Sequence, residues 1–369
     1  MRGRPSLHTR YEADSAMLPT ATQRLWFVVG LLAVVVLPLW LPRDWMILIA
    51  TAFIAAVGVI GLNLVTGYAG QVSLGHAFFL GIGAYAGAAL GGVATDKVIG
   101  LGLDVIIWVP AAGVIAGAIG AAIAPVAVRL KGLYLAILTL GLVFLGEHIF
   151  REWESVTGGP GVGRKPGSLT LFGWHFDQDG TVGGFAVTRE QQVYWLALVV
   201  LLIMGFLAKN LVRSKIGRAF AAIRDRDIAA EIMGIGLTRQ KVLAFAVSSF
   251  YAGVAGALLF TVTGFVNTAS FNLLLSINYI AMVVIGGGAS IAGSVMGAAF
   301  LTLLPRMIDA AGNVLPFLEV GSTGLLSTSQ LERVIFGVLI VAFLILEPMG
   351  LYGIWIRIRN YWKAWPFSY

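Results

Sequence analysis

Long apolar runs separated by short polar breaks dominate the chain. Each run has about 20 residues, enough for a helix to cross a hydrocarbon core about 30 Å thick. The runs are continuous and do not alternate, which favours helices over the strands of a barrel. We therefore expect an all-α, polytopic transmembrane helix bundle of about ten spans with broken helices. The spans fall at about residues 25–41, 45–65, 74–94, 105–128, 132–150, 191–209, 241–264, 272–288, 291–308 and 331–347.

Composition supports a membrane protein. Of the 369 residues, 58% are hydrophobic and only 12% are charged, whereas a soluble domain carries about 25% charged residues. The mean hydropathy is +0.89. The chain has no cysteine, which excludes disulfides, thiolate metal ligands and thiol chemistry. Its four histidines are scattered without metal-ligand spacing.

The distribution of basic residues predicts an orientation. With the N-terminus in the cytoplasm, the cytoplasmic segments hold 17 of the chain's 25 lysines and arginines, as the positive-inside rule requires. The net charge of +7 therefore does not indicate nucleic acid. We divide the chain into a cytoplasmic N-terminal tail (1–23), a membrane domain (24–350) and a cytoplasmic aromatic and basic tail (351–369). That last tail predicts an interfacial anchor.

Two breaks interrupt the apolar pattern. The first, TGYAGQVSLGH from Thr66 to His76, brings polar atoms to membrane depth, where irregular backbone is tolerated only if protein buries it or water reaches it. Ser73 is a candidate cap for the following helix, and a tight cytoplasmic turn is the alternative. The second break, Ile285–Gly297, lacks the Gly-Lys-Ser/Thr ending of a phosphate loop, so we expect a close-packed turn and no nucleotide site.

A charged segment, residues 213–240, stands out from the apolar background. It cannot lie in hydrocarbon, where each charge costs roughly 2.5–3.5 kcal/mol at a helix centre. Its alanines favour a short helix that ends near Gly234 and Gly236. Ala222 and Ala230 lie on a predicted small-residue face. The alternative is a basic loop that only fixes topology.

Two ordered patterns resemble a known family. G-R-A-x-x-A-I-R-D from Gly217, followed by A-A-E-x-x-G-I from Ala229, resembles the EAA loop of ABC-importer permeases. L-x-x-G-x-x-G-Q-x-S-L-G-H-A from Leu64 resembles a segment of branched-chain amino acid permeases. Over about residues 45–350 the chain is similar to the LivM-type permease family of branched-chain amino acid ABC importers.

This resemblance implies a permease subunit with no catalytic site and no bound cofactor of its own. Its implied partners are a second homologous permease subunit, two ATP-binding subunits that bind ATP and Mg²⁺, an extracytoplasmic solute-binding protein and membrane lipid. The implied location is the bacterial cytoplasmic membrane, and the implied cargo is leucine, isoleucine or valine. Urea, short amides or another amino acid remain alternatives, as does an ion-coupled secondary transporter. The latter would need charged residues buried within spans.

The residue types, supported by the resemblance, predict roles for particular residues. The substrate pathway is expected to include Asn63, Gln71, Ser73 and His76. Contact with the ATPase is expected at Arg218, Ala222, Arg224, Asp225, Ala230, Glu231 and Gly234. The extracytoplasmic loop, residues 151–190, either docks the solute-binding protein through Trp153, Trp174, Phe176 and Asp177–Asp179 or only covers the bundle.

Overall fold

Fourteen helices run through the part of the chain that the structure describes. The computed structural model describes residues 21–95, 97–130, 132–159, 163–171, 173–176, 178–182, 185–312, 328–347 and 349–364. The first seven helices are α1 Ala21–Val36, α2 Arg43–Asn63, α3 His76–Gly91, α4 Val105–Val128, α5 Leu133–Glu152, α6 Glu154–Thr157 and α7 Arg189–Arg213. The others are α8 Lys215–Asp225, α9 Asp227–Ile232, α10 Leu237–Thr263, α11 Leu273–Gly286, α12 Ile291–Gly312, α13 Thr328–Leu346 and α14 Gly350–Ala364.

The predicted helical membrane bundle is confirmed. Within the described residues, eight helices are long and apolar enough to cross a membrane, or up to nine if the bent pair α13 and α14 is one span. The expected span at 74–94 differs from the others. Its helix, α3, has 16 residues, which gives about 24 Å and falls short of a hydrocarbon core about 30 Å thick. A non-helical segment, residues 69–75, precedes it.

Helix α10 forms the centre of the bundle and packs against α2, α3 and α4. These helices meet through small residues. A Cβ added at Gly83 of α3 would overlap the backbone of Gly253, and one added at Gly113 of α4 would lie 2.7 Å from Val254 Cγ2. Small residues let helix backbones approach closely where lipid supplies no hydrophobic drive. Outside this group, α2 also contacts α7 and α12.

Helix α10 also connects the two ends of the bundle. Its 27 residues correspond to a length of about 40 Å. Its first residues follow the charged segment, and its last residues precede Val266, which pairs with Arg164 of the long loop. We call these the charged-segment end and the loop end.

The long loop, residues 151–190, lies at the loop end and has secondary structure of its own. It contains α6 and two antiparallel hairpins, β1 Thr170–Leu171 with β2 Trp174–His175, and β3 Gly180–Val182 with β4 Phe185–Val187. Trp153 and Trp174 are exposed, and Phe176 is half-buried against the core. Asp177 lies outside the described residues.

The first helix lies on the outside of the bundle. Tyr194 Oη of α7 donates to the Val34 carbonyl at 2.8 Å, and Trp195 Nε1 donates to the Val35 carbonyl at 3.0 Å. Most other side chains of α1 are exposed. At the other terminus α14 exposes Trp355 and Trp362. Residues 1–20, 313–327 and 365–369 lie outside the described residues. They include most of the predicted N-terminal tail and the last five residues of the predicted C-terminal tail.

Candidate functional site

The first break begins as a turn at the charged-segment end. Helix α2 continues into one π-type turn over 64–68, in which Ala69 N donates to the Leu64 carbonyl at 3.2 Å. Gln71 N then donates to the Val65 carbonyl at 2.9 Å, and Thr66 Oγ1 donates to the Gln71 carbonyl at 3.2 Å. Backbone groups freed by the end of the helix are thus paired locally, as burial requires.

This turn touches the charged segment directly. Arg224 Nη1 of α8 donates to the Gly67 carbonyl at 3.2 Å. Gly70 has φ +67, and a Cβ there would lie 2.8 Å from Arg224 Cγ and 3.0 Å from Arg224 Cα. Both the left-handed backbone and the close approach require glycine. The first break and the predicted coupling segment are therefore in direct contact with each other.

From Gln71 to Gly75 the chain descends into the bundle without helical structure. Leu74 N donates to Thr139 Oγ1 of α5 at 2.9 Å. The prediction that Ser73 caps α3 was wrong. Ser73 Oγ accepts from Gly75 N at 3.4 Å, and Ser276 Oγ of α11 instead accepts from Ala77 N at 2.9 Å. A helix 199 residues away in sequence supplies the cap.

His76 lies deep in the bundle. Its ring centroid is 4.9 Å from that of Tyr279, whose ring also packs on Gly58 in the second half of α2. Within the described part of the chain, His76 Nε2, Tyr279 Oη and both amide atoms of Gln71 are buried without a hydrogen-bond partner. Buried polar atoms are nearly always paired in native proteins. We therefore expect cargo or water near Gln71 and near His76, although other described side chains, such as Tyr85 and Ser249, also have an unpaired buried atom.

Asn63 has a different environment. Its Nδ2 donates to the Ser290 carbonyl at 3.0 Å and to Ser294 Oγ at 2.7 Å, and its Oδ1 accepts from Ala289 N at 2.9 Å. The side chain is 1% exposed. The amide thus joins the first break to the second, which is the close-packed turn that the glycines predicted. In this conformation Asn63 has little capacity left to bind cargo.

The charged segment forms two helices rather than the single element expected. Ser214 Oγ caps α8 by accepting from Ile216 N at 3.1 Å, and Arg226 is extended between α8 and α9. The predicted stop at Gly234 is confirmed. Gly234 has φ +84, its N–H donates to the Glu231 carbonyl at 2.9 Å, and Ile235 N donates to the Ala230 carbonyl at 3.0 Å. This pair of bonds is a Schellman motif.

The small-residue face of this segment turns toward the chain's own bundle. Ala230 is buried and Ala222 is half-buried. The exposed apolar side chains of α9 and its end are instead Ile228, Ile232 and Met233, which are 68%, 81% and 82% exposed.

The charged side chains of the segment lie at the surface. Arg218, Arg224, Asp225 and Glu231 are all exposed. Arg218 Nη1 donates to the Arg213 carbonyl at 3.3 Å, and Arg224 pairs with Asp225 at 3.3 Å. Such exposed pairs contribute little to stability, which leaves these charges available to a partner.

Beside this contact lies a cavity of about 610 Å³ that both segments line, and Gly70, Leu130, Arg226 and Ile228 are among its lining residues. Lys241 also lines it and is 7% exposed. No group of three or more metal-ligating side chains occurs among the residues that the structure describes.

Sequence reasoning missed the residues that support the first break from other helices. Thr139, Ser276 and Tyr279 hold it through contacts that join distant parts of the chain. Polar residues inside apolar runs were the available signal, and Ser276 and Tyr279 sit in such a run. The signal does not say which distant backbone each residue meets.

Known proteins resemble this chain over most of its length. The family described as "Branched-chain amino acid transport system / permease component" matches residues 45–344. The high-affinity branched-chain amino acid transport system permease protein LivM of Salmonella typhimurium is 30% identical over 347 residues, covering 90% of this chain and 75% of that protein. LivH, a permease protein of the same kind from Escherichia coli K12, is 28% identical over 308 residues, covering 81% of this chain and 91% of its own.

A third relative is the autoinducer 2 import system permease protein LsrC of Klebsiella pneumoniae, 29% identical over 175 residues, or 46% of each chain. No solved structure matches this chain significantly. The central helices of the bundle, both breaks and the charged segment lie within the region that the family matches, whereas α1 and α14 lie outside it. This chain belongs to the family of permease components of branched-chain amino acid transport systems.

Proposed function

We propose that this chain forms the translocation pathway of an ATP-driven importer for leucine, isoleucine and valine. Its relatives LivM and LivH carry that substrate class in their names. Cargo delivered by a solute-binding protein would enter at the loop end and leave at the charged-segment end. ATP and Mg²⁺ would be bound by two partner ATPase subunits, and a second homologous permease would complete the pathway.

The contact between Arg224 and the first break is the observation that carries the mechanism. Arg224 lies on α8, and its Nη1 is 3.2 Å from the Gly67 carbonyl oxygen. The turn containing Gly67 leads within a few residues to the unpartnered atoms of Gln71 and His76. A partner that moves α8 would therefore move the segment that meets the cargo. Coupling of this kind requires that each ligand favours a different conformation.

The exposed apolar cluster Ile228, Ile232 and Met233 is the surface we assign to the ATPase. Such side chains at a polar bundle end suit a protein interface better than water. Arg218, Asp225 and Glu231 surround it and would set the register of docking. Gly234 ends the helix, while Ala222 and Ala230 act from inside the fold by holding α8 and α9 against the bundle.

This assignment fixes the orientation that we propose. The charged segment and both tails (1–23 and 351–369) lie in the cytoplasm, and the loop of residues 151–190 lies outside the bacterial inner membrane. The solute-binding protein would dock there, and the exposed Trp153 offers it an apolar contact. The aromatic face of α14 would rest at the membrane surface.

The test is ATP-driven uptake by the importer reconstituted in liposomes from this chain and its partner subunits. In these liposomes the lumen corresponds to the cytoplasm. We expect labelled leucine to accumulate in the lumen only when ATP is present there and the binding protein is present outside. Uptake driven by an ion gradient without ATP would contradict the proposal and favour a secondary transporter. The similarity to LsrC supports a second candidate, an importer of the same class with another cargo. ATP-driven uptake of urea or a short amide in place of leucine would favour it.

A further inference from the structure

A second cavity, of about 770 Å³, opens at the loop end. We call it the Arg164 cavity. Arg164 is 5% exposed, and its guanidinium is held by main-chain oxygens. Nη1 donates to the Val156 carbonyl at 2.8 Å, and Nη2 donates to the carbonyls of Ala88, at 2.6 Å, and Ile99. Arg164 thereby ties the loop to α3 and α6.

The described residues that line the Arg164 cavity bring positive charge to it and no negative charge. Lys165 and Arg189 also line it, and none of its lining residues within the described part of the chain is acidic. The Asp179 carboxylate accepts from the backbone N–H of Arg189 at 2.7 Å, but Asp179 does not line the cavity. Two of the three cations reach solvent, since Lys165 is exposed and Arg189 is half-buried.

The buried guanidinium makes an anion favourable at this position. Burial lowers the pKa of Arg164 because desolvation disfavours its charged form. The group nevertheless stays charged, since arginine does not lose its proton in proteins. Among the described residues its hydrogen-bond partners are main-chain carbonyls and not carboxylates, and a carboxylate brought within reach offsets part of the cost of burying the charge.

The position of the cavity suits an entry site. Thr261 and Gly264 of the α10 terminus line it, while Lys241, near the start of the same helix, lines the cavity beside the charged segment. Twenty residues of helix separate Lys241 from Thr261, which corresponds to about 30 Å, the thickness of a hydrocarbon core. The volume also lies within the usual range for small-molecule sites, about 300–1,000 Å³.

We propose that the Arg164 cavity binds the carboxylate of a free α-amino acid on its way into the translocation pathway. Lys165 and Arg189 contact the carboxylate, and Arg164 holds the cavity open and adds its charge. The inference rests on the proposed function, and it names the chemical group by which an amino acid would be told apart from urea or a neutral amide.

The test measures equilibrium binding of tritiated L-leucine to the assembled importer without its binding protein. L-Leucinamide, which keeps the side chain and amino group but lacks the carboxylate, is the competitor. We expect Lys165→Gln and Arg189→Gln each to raise the Kd for leucine about tenfold, the usual order for losing one charge-assisted hydrogen bond. Leucinamide should compete at least about tenfold more weakly than leucine. The control is Lys97→Gln, an exposed cation near the cavity that does not line it, and it should leave Kd unchanged.

Each outcome separates this inference from the proposed function. Suppose that the unmodified importer takes up leucine with ATP, but both variants bind leucine with an unchanged Kd, or leucinamide competes as strongly as leucine. Either result would overturn only the carboxylate site. Unchanged leucine binding combined with weaker stimulation of ATP hydrolysis by the binding protein would assign these cations to protein docking and also overturn it. An importer that neither binds nor transports leucine would overturn both proposals.

Discussion

Replacing Gly234 by valine tests whether the end of α9 must keep its shape for ATP hydrolysis to drive transport. Gly234 has φ +84, and a Cβ there would meet no atom within 4 Å. The added Cβ therefore causes no clash, and we expect the main effect of the substitution to be backbone strain. That strain is about 1–2 kcal/mol for an ordinary L-residue and greater for a β-branched one.

The strain is large relative to the helix it acts on. Helix α9 has six residues, too few to be stable without tertiary contacts. A change of about 1–2 kcal/mol raises the population of an opened end about 5- to 30-fold. The bundle itself should remain folded, because the affected turn is exposed.

Hydrogen exchange and ATPase assays report the two parts of this prediction. The amides of Gly234 and Ile235, now bonded to the carbonyls of Glu231 and Ala230, should lose protection. Binding-protein-stimulated ATP hydrolysis and uptake should fall together. Gly236→Val is the matched control, because Gly236 has an ordinary φ of −68 and open space around it.

Two results would refute the reasoning. Unchanged amide protection in Gly234→Val would show that the left-handed turn does not hold the helix end. Lost protection with full stimulated hydrolysis and full uptake would show that this helix end does not contribute to coupling.

Three further predictions concern the membrane orientation, the Asn63 contact between the two breaks, and the translocation pathway. Cysteines at Lys165 and Arg226 should be labelled from opposite sides of the membrane by an impermeant maleimide, and labelling from one side would refute the orientation. Asn63→Leu removes the acceptor of the part-buried Ala289 N and the donor to the buried Ser290 carbonyl, so it should lower the free energy of unfolding in detergent by about 1–3 kcal/mol, and an unchanged melting temperature would contradict that role. Tyr279→Phe removes a buried hydroxyl that has no partner, so thermal stability should be unchanged or higher while leucine uptake falls, and normal uptake would make Tyr279 a packing residue.

The helix positions were predictable because each depends on a local property. A run of about 20 apolar residues has few alternatives in a membrane, and Gly234 ended its helix as its conformational freedom suggests. The split of the charged segment at Arg226 was missed because no proline or glycine marks it. The orientation of Ala230 toward the bundle depends on helices that are distant in sequence.

The candidate pathway was only partly readable for the same reason. The sequence pattern from Thr66 to His76 predicted an irregular segment there. The residue that caps α3, however, is Ser276, on another helix. The pairing of Asn63 with Ser290 and Ser294 likewise joins two breaks 227 or more residues apart. Patterns within one stretch cannot specify such partners.

Close backbone contacts at the centre of the bundle restrict how this sequence can diverge. Where Gly83 meets Gly253, both surfaces are main chain, so no smaller partner exists that would make room for a larger residue. The outer face of α7 is different, because Val199, Ile203 and Phe206 are exposed apolar side chains. We expect them to meet lipid and to tolerate exchange for one another. We expect distant relatives of this permease to differ freely at these outer positions while their central glycines stay unchanged. The substitution rate of a position should therefore rise with its distance from α10.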